Sequence, residues 1–467
     1  MTSTIARIED LSGLRATVMG LGLHGGGLAS ARFLAENGAI VTVTDMKDES
    51  ALADSIAALE GLPIRYVLGG HELDDFRAAD LVVKNPAVRP DSPYLLASRT
   101  VETDVSLFLR LSRSPIVAVT GSKGKSSVSS AIHHALGASG LHSFLGGNIT
   151  LSPLSFLDRC GPESPVVLEL SSWQLADLKG LGVLKPRIAL LTSIMPDHMN
   201  RYSSMEDYVA DKRLVYADQD SASYTLCNWE DPWGKSFAAE TRGSVLWYSD
   251  RYCGQPGAWL QPEGNGRGLF SASADSGGAE EILPPDLLVP GRHQRKNLLA
   301  AALACRAYGV PAASVTAAIG SFPGVEHRLE RFAEKDGIVW YNDSAATIPQ
   351  AVGAALDSFD RPVVLITGGT DKNLDFEPVR PAYAKAKIAV LLAGTGTDKL
   401  LPILERDGVP FAGPFDDLAL AVREARSRAS PGDIVILSPG CASFGMFVHE
   451  FDRGRKFKDT VRELLRS

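Results

Sequence analysis

The stretch Ile116-Val117-Ala118-Val119-Thr120-Gly121-Ser122-Lys123-Gly124-Lys125-Ser126-Ser127 decides the fold of this chain. Its first five residues predict a buried strand, and the apolar residues Val128, Ile132 and Leu136 that follow at every fourth position predict a helix. A glycine-rich turn between a strand and a helix lets backbone N–H groups surround a phosphate. The stretch therefore predicts a nucleotide-binding α/β domain. Its spacing differs from a strict Walker A pattern, because Val119 stands where that pattern has glycine.

The same turn predicts roles for individual side chains. We expect Lys125 to reach the outer phosphates and the Ser126 hydroxyl to ligate Mg²⁺. The alternative is an ordinary strand–turn–helix corner that binds no ligand. The predicted phosphate-binding set is Gly121, Ser122, Lys123, Gly124, Lys125, Ser126 and Ser127.

Length, charge and cysteine usage narrow the class of protein. A chain of 467 residues predicts about three domains of about 100–200 residues each. The net charge is −8 and no block rich in Lys or Arg stands out, which argues against nucleic acid or an anionic membrane as a partner. Five scattered cysteines without a C-x-x-C pair predict a reducing cytoplasm. No signal-like apolar segment opens the chain, and no run reaches the length of about 18 apolar residues that a membrane span needs.

The N-terminal residues predict a Rossmann-like unit. Gly20, Gly22 and Gly25 form a G-x-G-x-x-G turn after a strand, and Asp45 follows the next strand. The pattern alone leaves an NAD site and another diphosphate site open. We expect residues 84–87, which follow a later strand, to face the same crevice.

Three charged or polar residues in the central part are candidates for chemistry. Glu169 ends an apolar strand, where a buried carboxylate needs a cation such as Mg²⁺. His198 follows another strand, and Lys212 lies on a predicted helix over residues 205–216. The alternatives are an outward-facing glutamate, a packing histidine and a solvated lysine.

Polar and glycine clusters directly follow apolar strands in the C-terminal part. They lie at residues 342–347, 368–372 and 438–444, where a doubly wound sheet places a ligand. Residues 291–297 predict a loop that opens a helix at Leu298. We therefore expect an α/β protein of three domains: a Rossmann-like N-terminal domain over 1–110, a central P-loop ATPase-like doubly wound domain over 111–324, and a Rossmann-like C-terminal domain over 325–467.

Taken together, these motifs resemble those of the Mur ligase family, whose members are ATP-dependent amide ligases that build the peptide of the cell-wall precursor. The resemblance covers nearly the whole chain. The forms Glu169-Leu170-Ser171-Ser172-Trp173-Gln174-Leu175 and Gly20-Leu21-Gly22-Leu23 are most similar to the branch that adds glutamate to UDP-N-acetylmuramoyl-L-alanine. The motifs that carry the resemblance are residues 120–126, 146–149, 169–175, 197–202, 212, 291–297, 327–328, 342–344 and 437–439.

The resemblance implies a role for each matching residue. ATP and Mg²⁺ would be the cofactors, the chain would act as a cytoplasmic monomer, and an acyl phosphate would be the intermediate. Lys212 matches a lysine that is carbamylated in the family, and a carbamate, being anionic, can help to bind magnesium. The implied catalytic residues are Lys125, Glu169, His198 and Lys212; the implied metal ligands are Ser126, Glu169, His198 and Lys212; the implied ATP contacts beyond the turn are Asn297, Arg328 and Asp343; and the implied substrate contacts are Leu23, His24, Asp45, Asn148, Thr347, Lys372, Ser443 and Phe444.

Two positions depart from the family pattern near the expected glutamate pocket. Ala345 stands where typical members have lysine, and Glu450 stands where they have an aromatic residue. Both departures leave D-glutamate, L-glutamate and another amino acid open as acceptors. Outside the family, an NAD-linked oxidoreductase and a non-catalytic nucleotide-binding regulator stay open as alternatives.

Overall fold

The structure is a computed structural model and describes residues 5–22, 25–149, 151–197, 202–261, 266–372 and 374–466. The chain divides into two compact units. The first unit holds Met1–Pro285 and Lys296–Ile319, and the second holds Asp286–Arg295 and Gly320–Ser467. None of the helices in the described ranges is long and apolar enough to cross a bilayer.

The first unit begins with a parallel sheet of five strands. These are β1 (Arg15–Met19), β2 (Ile40–Asp45), β3 (Ile64–Leu68), β4 (Leu81–Lys84) and β5 (Val101–Glu102), with helices α1 (Gly26–Glu36), α2 (Ala53–Ala57), α3 (Leu73–Ala78), α4 (Pro93–Leu96) and α5 (Asp104–Leu111). The strand order β3-β2-β1-β4-β5 is that of a Rossmann fold, in which the order reverses beside β1. The predicted Rossmann-like N-terminal domain is confirmed.

A second sheet of the first unit has nine strands. These are β6 (Ile116–Thr120), β7 (Phe144–Gly147), β8 (Val166–Glu169), β9 (Ile188–Leu191), β10 (Tyr224–Asn228), β11 (Ser244–Ser249), β12 (Gly257–Leu260), β13 (Gly268–Ser271) and β14 (Glu280–Leu283). The helices are α6 (Lys125–Ala138), α7 (Ser172–Asp177), α8 (Met205–Arg213), α9 (Gly234–Glu240), α10 (Arg292–Tyr308) and α11 (Ala312–Gly320). In the order β14-β13-β12-β11-β10-β9-β6-β8-β7, strand β6 lies between β8 and β9, so the glycine-rich turn that follows β6 lies at the switch point.

The last two strands of this sheet extend it in an antiparallel sense. β12 pairs with β13 and β13 with β14, which leaves β14 at the edge. The two glutamates of β14 are both ion-paired: Glu280 with Arg306 at 2.8 Å and Glu281 with Arg267 at 3.3 Å. The edge of the sheet is therefore a charged strand.

The second unit contains a sheet of six strands. These are β15 (Glu330–Lys335), β16 (Ile338–Asn342), β17 (Val363–Gly368), β18 (Ala386–Leu392), β19 (Phe411–Phe415) and β20 (Ile434–Leu437), with helices α12 (Pro349–Leu356), α13 (Arg380–Tyr383), α14 (Thr395–Asp407), α15 (Leu418–Arg428) and α16 (Glu450–Arg466). The order is β15-β16-β20-β17-β18-β19, and β16, β20, β17, β18 and β19 are parallel. The polar loops after β16, β17 and β20 therefore lie side by side, as the clusters in the sequence predict.

Two helix boundaries differ from the prediction. Helix α10 begins at Arg292 and not at Leu298, so most of the predicted loop 291–297 is helical. Residues 292–297 are all polar, and apolar periodicity cannot detect a helical turn that has no apolar residue. Helix α8 ends at Arg213 and not at residue 216, because the chain continues in i→i−3 hydrogen bonds such as Tyr216 N to Arg213 O.

Candidate active site

The turn after β6 requires glycine at two positions. Gly121 has φ +145°, and a Cβ there would lie 1.9 Å from Thr192 Oγ1. Gly124 has φ +89°, and a Cβ there would lie 2.6 Å from Asn297 Oδ1 on α10. The turn is thus pressed against the end of β9 and against α10, and any side chain at these glycines would open it.

The amides of the turn divide into two groups. Those of Ser122 and Lys123 donate to Ser193 O at 2.8 and 3.4 Å, and the Ser122 hydroxyl contacts Met195 O and Tyr208 Oη, each at 2.9 Å. Ser122 and Lys123, two members of the predicted phosphate-binding set, therefore use their backbone amides to hold the turn against Ser193. The N–H groups open to an anion are those of the first turn of α6, where a helix leaves them without intrahelical acceptors.

Two lysine side chains meet on one carbonyl oxygen of this turn. Lys125 Nζ donates to Gly121 O at 3.0 Å and to Ser122 O at 3.1 Å. Lys212 Nζ, from α8, donates to the same Gly121 O at 2.8 Å and is only 1% exposed. Burial, and then the nearby Lys125 charge, lower the pKa of Lys212 to about 7. A large fraction of the Lys212 amine, about half at pH 7, is therefore neutral where an ordinary lysine is almost fully charged.

Glu169 ends β8 beside the turn and is buried, with 2% of its surface exposed. Its Oε1 accepts from Asn148 Nδ2 at 3.1 Å, and its Oε2 lies 3.5 Å from the Ser129 hydroxyl. No lysine or arginine of the described residues forms an ion pair with it. The carboxylate is thus oriented by neutral donors, with its negative charge unpaired.

A cavity of about 400 Å³ connects these groups with the N-terminal sheet. Lys125, Asn148 and Lys212 line one end of it, and Gly26 with the exit loop 85–87 of β4 lines another. The expectation that this exit loop and the glycine turn after β1 face one crevice is confirmed. Cavity residues that the sequence analysis did not single out include Asp104, Ser152 and Tyr208; each is a single polar residue in or beside a helix, without a motif around it.

The carboxylate of Asp45 braces the N-terminal glycine turn. Its Oδ2 accepts from Gly22 N at 3.1 Å and its Oδ1 from Lys47 N at 2.9 Å. The predicted contacts Leu23, His24 and His198 lie outside the described residues.

In the second unit, the loops after β16, β17 and β20 are hydrogen-bonded to one another. Thr370 and Ala442 exchange two backbone hydrogen bonds, at 3.1 and 3.0 Å, and Gly440 N donates to Ala346 O at 2.8 Å. The predicted substrate contacts lie on these three loops: Thr347 on the first, Lys372 on the second, and Ser443 and Phe444 on the third. The Lys372 ammonium lies 5.3 Å from the centroid of the Phe444 ring.

The two predicted nucleotide contacts of this unit differ in exposure. Arg328 is exposed, whereas Asp343 is 7% exposed and accepts from the Ser438 hydroxyl at 2.7 Å and from Leu329 N at 3.1 Å. Burial raises the pKa of Asp343 to about 7, despite these hydrogen bonds and the charge of Arg328.

The first unit therefore combines a helix N-terminus at a glycine-rich turn, two lysines on one carbonyl and a buried carboxylate that has no cationic partner among the described residues. Such a set can bind a nucleoside triphosphate together with a metal ion and offset the charge of an anionic nucleophile. The loops after β16, β17 and β20 of the second unit present small polar groups together with Lys372, which suits an anionic small molecule.

Three family models match consecutive parts of the chain. The Mur ligase MurD-like N-terminal domain matches residues 15–106, the Mur ligase middle domain matches 119–305, and the Mur ligase glutamate ligase domain matches 327–441.

Relatives match at nearly full length. The chain is 43% identical to a UDP-N-acetylmuramoylalanine–D-glutamate ligase of Treponema pallidum, over 97% of this chain and 98% of the relative. It is 42% identical to the enzyme of the same name from a Roseiflexus species, over 97% and 99%. A crystal structure of the UDP-N-acetylmuramate-alanine ligase of Thermotoga maritima shares the fold with a TM-score of 0.60 at 19% identity, over 97% of this chain and 100% of that one.

Proposed function

This chain belongs to the Mur ligase family, and on that premise we propose that it is an ATP-dependent ligase that joins D-glutamate to UDP-N-acetylmuramoyl-L-alanine in the synthesis of the cell-wall precursor. The observation that carries the proposal is the meeting of Lys125, Lys212 and Glu169 around the turn after β6, beside a cavity that reaches the N-terminal sheet.

Family membership confirms the resemblance drawn from the sequence and the class of enzyme. It also decides between the alternatives. The matched N-terminal domain is a Mur ligase domain, so its glycine turn favours a UDP-linked substrate over NAD. The relatives named above are D-glutamate ligases at 43% and 42% identity, which favours D-glutamate over L-glutamate despite Ala345 and Glu450.

ATP is proposed to bind at the N-terminus of α6. The amides of the first turn, with Ser126 and Ser127, are proposed to surround the phosphate. Lys125, whose Nζ donates to Gly121 O and Ser122 O, is proposed to exchange these acceptors for an outer phosphate oxygen. Asn297 packs on Gly124 and is proposed to help shape the nucleotide site, as are Arg328 and Asp343 in the second unit.

Mg²⁺ fits the donors around this turn. Among the described residues no group of three or more His, Cys, Asp or Glu side chains is placed to hold a metal alone. Mg²⁺ commonly takes one or two carboxylates and completes its shell with phosphate oxygens and water. The unpaired Glu169 carboxylate and the Ser126 hydroxyl supply such a partial set, to which His198 is proposed to add. Bound there, the ion would neutralise phosphate charge.

Lys212 is proposed to be carbamylated. A neutral amine can attack CO₂, forming a nitrogen–carbon bond and releasing a proton, and the lowered pKa of Lys212 makes this possible near neutral pH. The product is an anion, which the positive charge of the nearby Lys125 stabilises, whereas the same charge disfavours the ammonium form of Lys212.

In the reaction we propose, the terminal carboxylate of UDP-N-acetylmuramoyl-L-alanine attacks the γ-phosphorus of ATP and ADP leaves. Lys125 offsets the repulsion between the two anions, and Asn148 and the cavity wall hold the carboxylate in place. The amine of D-glutamate then attacks the acyl phosphate, and inorganic phosphate leaves as the amide forms. Thr347, Lys372, Ser443 and Phe444 are proposed to hold the glutamate, and Leu23, His24 and Asp45 the UDP moiety.

We also propose domain boundaries near residues 110 and 324, a monomeric state and a cytoplasmic location. All five cysteines are free thiols in the structure, which agrees with a reducing compartment.

Phosphate release tests the proposed function. The purified chain is mixed with ATP, Mg²⁺ and UDP-N-acetylmuramoyl-L-alanine, and each of the twenty amino acids and D-glutamate is added in turn. We expect release with D-glutamate, and none when any one component is omitted. Release with another amino acid in preference to D-glutamate, or tight NADH binding without phosphate release, would overturn the proposal.

A further inference from the structure

Helix α16 carries two buried cations whose charges are balanced differently. Lys458 Nζ donates to the Glu326 and Glu330 carboxylates, each at 2.8 Å. Arg453 has 0% of its surface exposed, and no carboxylate among the described residues forms an ion pair with its guanidinium. Burying an unpaired charge is costly, so its retention at Arg453 calls for an explanation.

The guanidinium of Arg453 lies beneath the three loops that follow β16, β17 and β20. Its Nη2 donates to Ser344 O at 2.9 Å, and its Nη1 donates to Cys441 O at 3.2 Å. A Cβ placed on Gly369 would lie 3.8 Å from Nη1, so the guanidinium also lies close to the loop after β17. The Nε atom is buried, and no atom of the described part of the chain forms a hydrogen bond with it.

The next residue fixes this position of the arginine. A Cβ on Gly454 would lie 2.1 Å from His327 Nδ1 and 2.2 Å from Ser344 Oγ. Helix α16 therefore packs directly on the loop after β16, and it has no room to withdraw the guanidinium from that loop.

We propose that Arg453 is a positioning residue for the amino-acid acceptor: it ties the strand-end loops of the second unit together and places beneath them a positive charge that no ion pair among the described residues neutralises. The inference rests on the proposed function, because Thr347, Lys372 and Ser443 on these loops are its proposed glutamate contacts. Glutamate carries two carboxylates and one ammonium, so its net charge is −1. A buried cation below the loops favours such an anion, since the interior screens charge weakly.

Three variants test the role of Arg453. Arg453→Met removes the charge at similar length, Arg453→Lys keeps the charge but loses the fork of donors, and Lys458→Met removes the other buried cation of α16. KM is measured for D-glutamate, ATP and UDP-N-acetylmuramoyl-L-alanine, together with the Tm of each variant. We expect Arg453→Met to raise the KM for D-glutamate about tenfold, with the other two KM values within about twofold of wild type.

Arg453→Lys and Lys458→Met separate the effect of charge from the effect of packing. Arg453→Lys should recover part of the affinity for D-glutamate, whereas Lys458→Met should lower Tm without changing that KM. An equal rise of all three KM values, or a lower Tm with no change in KM, would reduce Arg453 to a packing role. If Arg453→Met fails to fold, Arg453→Gln, which also removes the charge but keeps a hydrogen-bond donor, takes its place, and an unchanged KM for D-glutamate in Arg453→Gln would overturn the proposal. A wild-type enzyme inactive with D-glutamate would instead refute the proposed function.

Discussion

The neutral amine of Lys212 leads to a prediction about carbon dioxide. At pH 7 an exposed lysine with a pKa of 10.5 is neutral in about one molecule in 3,000, whereas the pKa of about 7 for Lys212 leaves about half neutral. Only the neutral amine attacks CO₂. Burial and the Lys125 charge therefore raise the reactive fraction about a thousandfold at neutral pH.

Removal of CO₂ should then lower the rate of phosphate release, and added bicarbonate should restore it. Lys212→Ala should lose activity by about 100-fold or more, because the anion beside the phosphate site is gone. Acetate or propionate should recover part of that activity by placing a carboxylate in the space left by the side chain. Lys179→Ala, at an exposed lysine of the same unit, serves as the matched control and should keep the full CO₂ response.

The modification itself can be observed by ¹³C NMR in labelled bicarbonate. A carbamate signal is expected in the wild-type protein and in Lys179→Ala, and it should be absent in Lys212→Ala. The reasoning is refuted if CO₂ removal leaves the rate unchanged, or if the signal persists in Lys212→Ala.

Four further predictions concern charges described above. Lys125→Ala should abolish phosphate release but keep binding of UDP-N-acetylmuramoyl-L-alanine by calorimetry; an active variant would contradict its role. Lys84, which is buried, pairs with the partly buried Asp177 at 2.7 Å, so Lys84→Met should lower the free energy of unfolding by about 2–4 kcal/mol in denaturant titrations. Adding Asp177→Leu should recover part of that loss. The Glu450 charge acts on Arg453, so Glu450→Gln should lower the KM for D-glutamate a few-fold; a higher KM would count against this. The folded-state pKa of Asp343 is raised to about 7. As the pH rises from about 4 to 7, the Asp343 carboxyl therefore loses its proton first in the unfolded state, and the free energy of unfolding falls. Asp343→Asn should remove this fall with pH, as followed by Tm from pH 4 to 8.

The sequence predicted the parts of this protein that local patterns encode. Apolar strands that end in glycine or polar clusters identified the turn after β6, the position of Glu169 and the loops of the second unit, because parallel sheets place ligands at the carboxyl ends of their strands. The same reasoning placed the exit loop of β4 in the crevice of the glycine turn after β1.

Features that depend on contacts between residues far apart in the chain could not be predicted from the sequence. Ser122 was assigned to phosphate, but its amide and hydroxyl hold the loop against residues 193–195 and Tyr208, more than 70 positions away. Arg453 lies on a charged helix without a motif, and only the packing of α16 shows that it is buried. The first turns of α10 are polar on every side, so the helix start there was wrong in the prediction.

The charged strand β14 bears on how this protein is kept from aggregating. An edge strand exposes unpaired N–H and C=O groups, to which a strand of another molecule can add. Glu280 and Glu281, held by Arg306 and Arg267, place a pair of ion pairs along that edge, and a second sheet could dock there only by breaking or burying them. Edge-to-edge pairing between two molecules is therefore disfavoured at β14, and engineering of strands β12, β13 and β14 should preserve these two glutamates even where other residues are replaced.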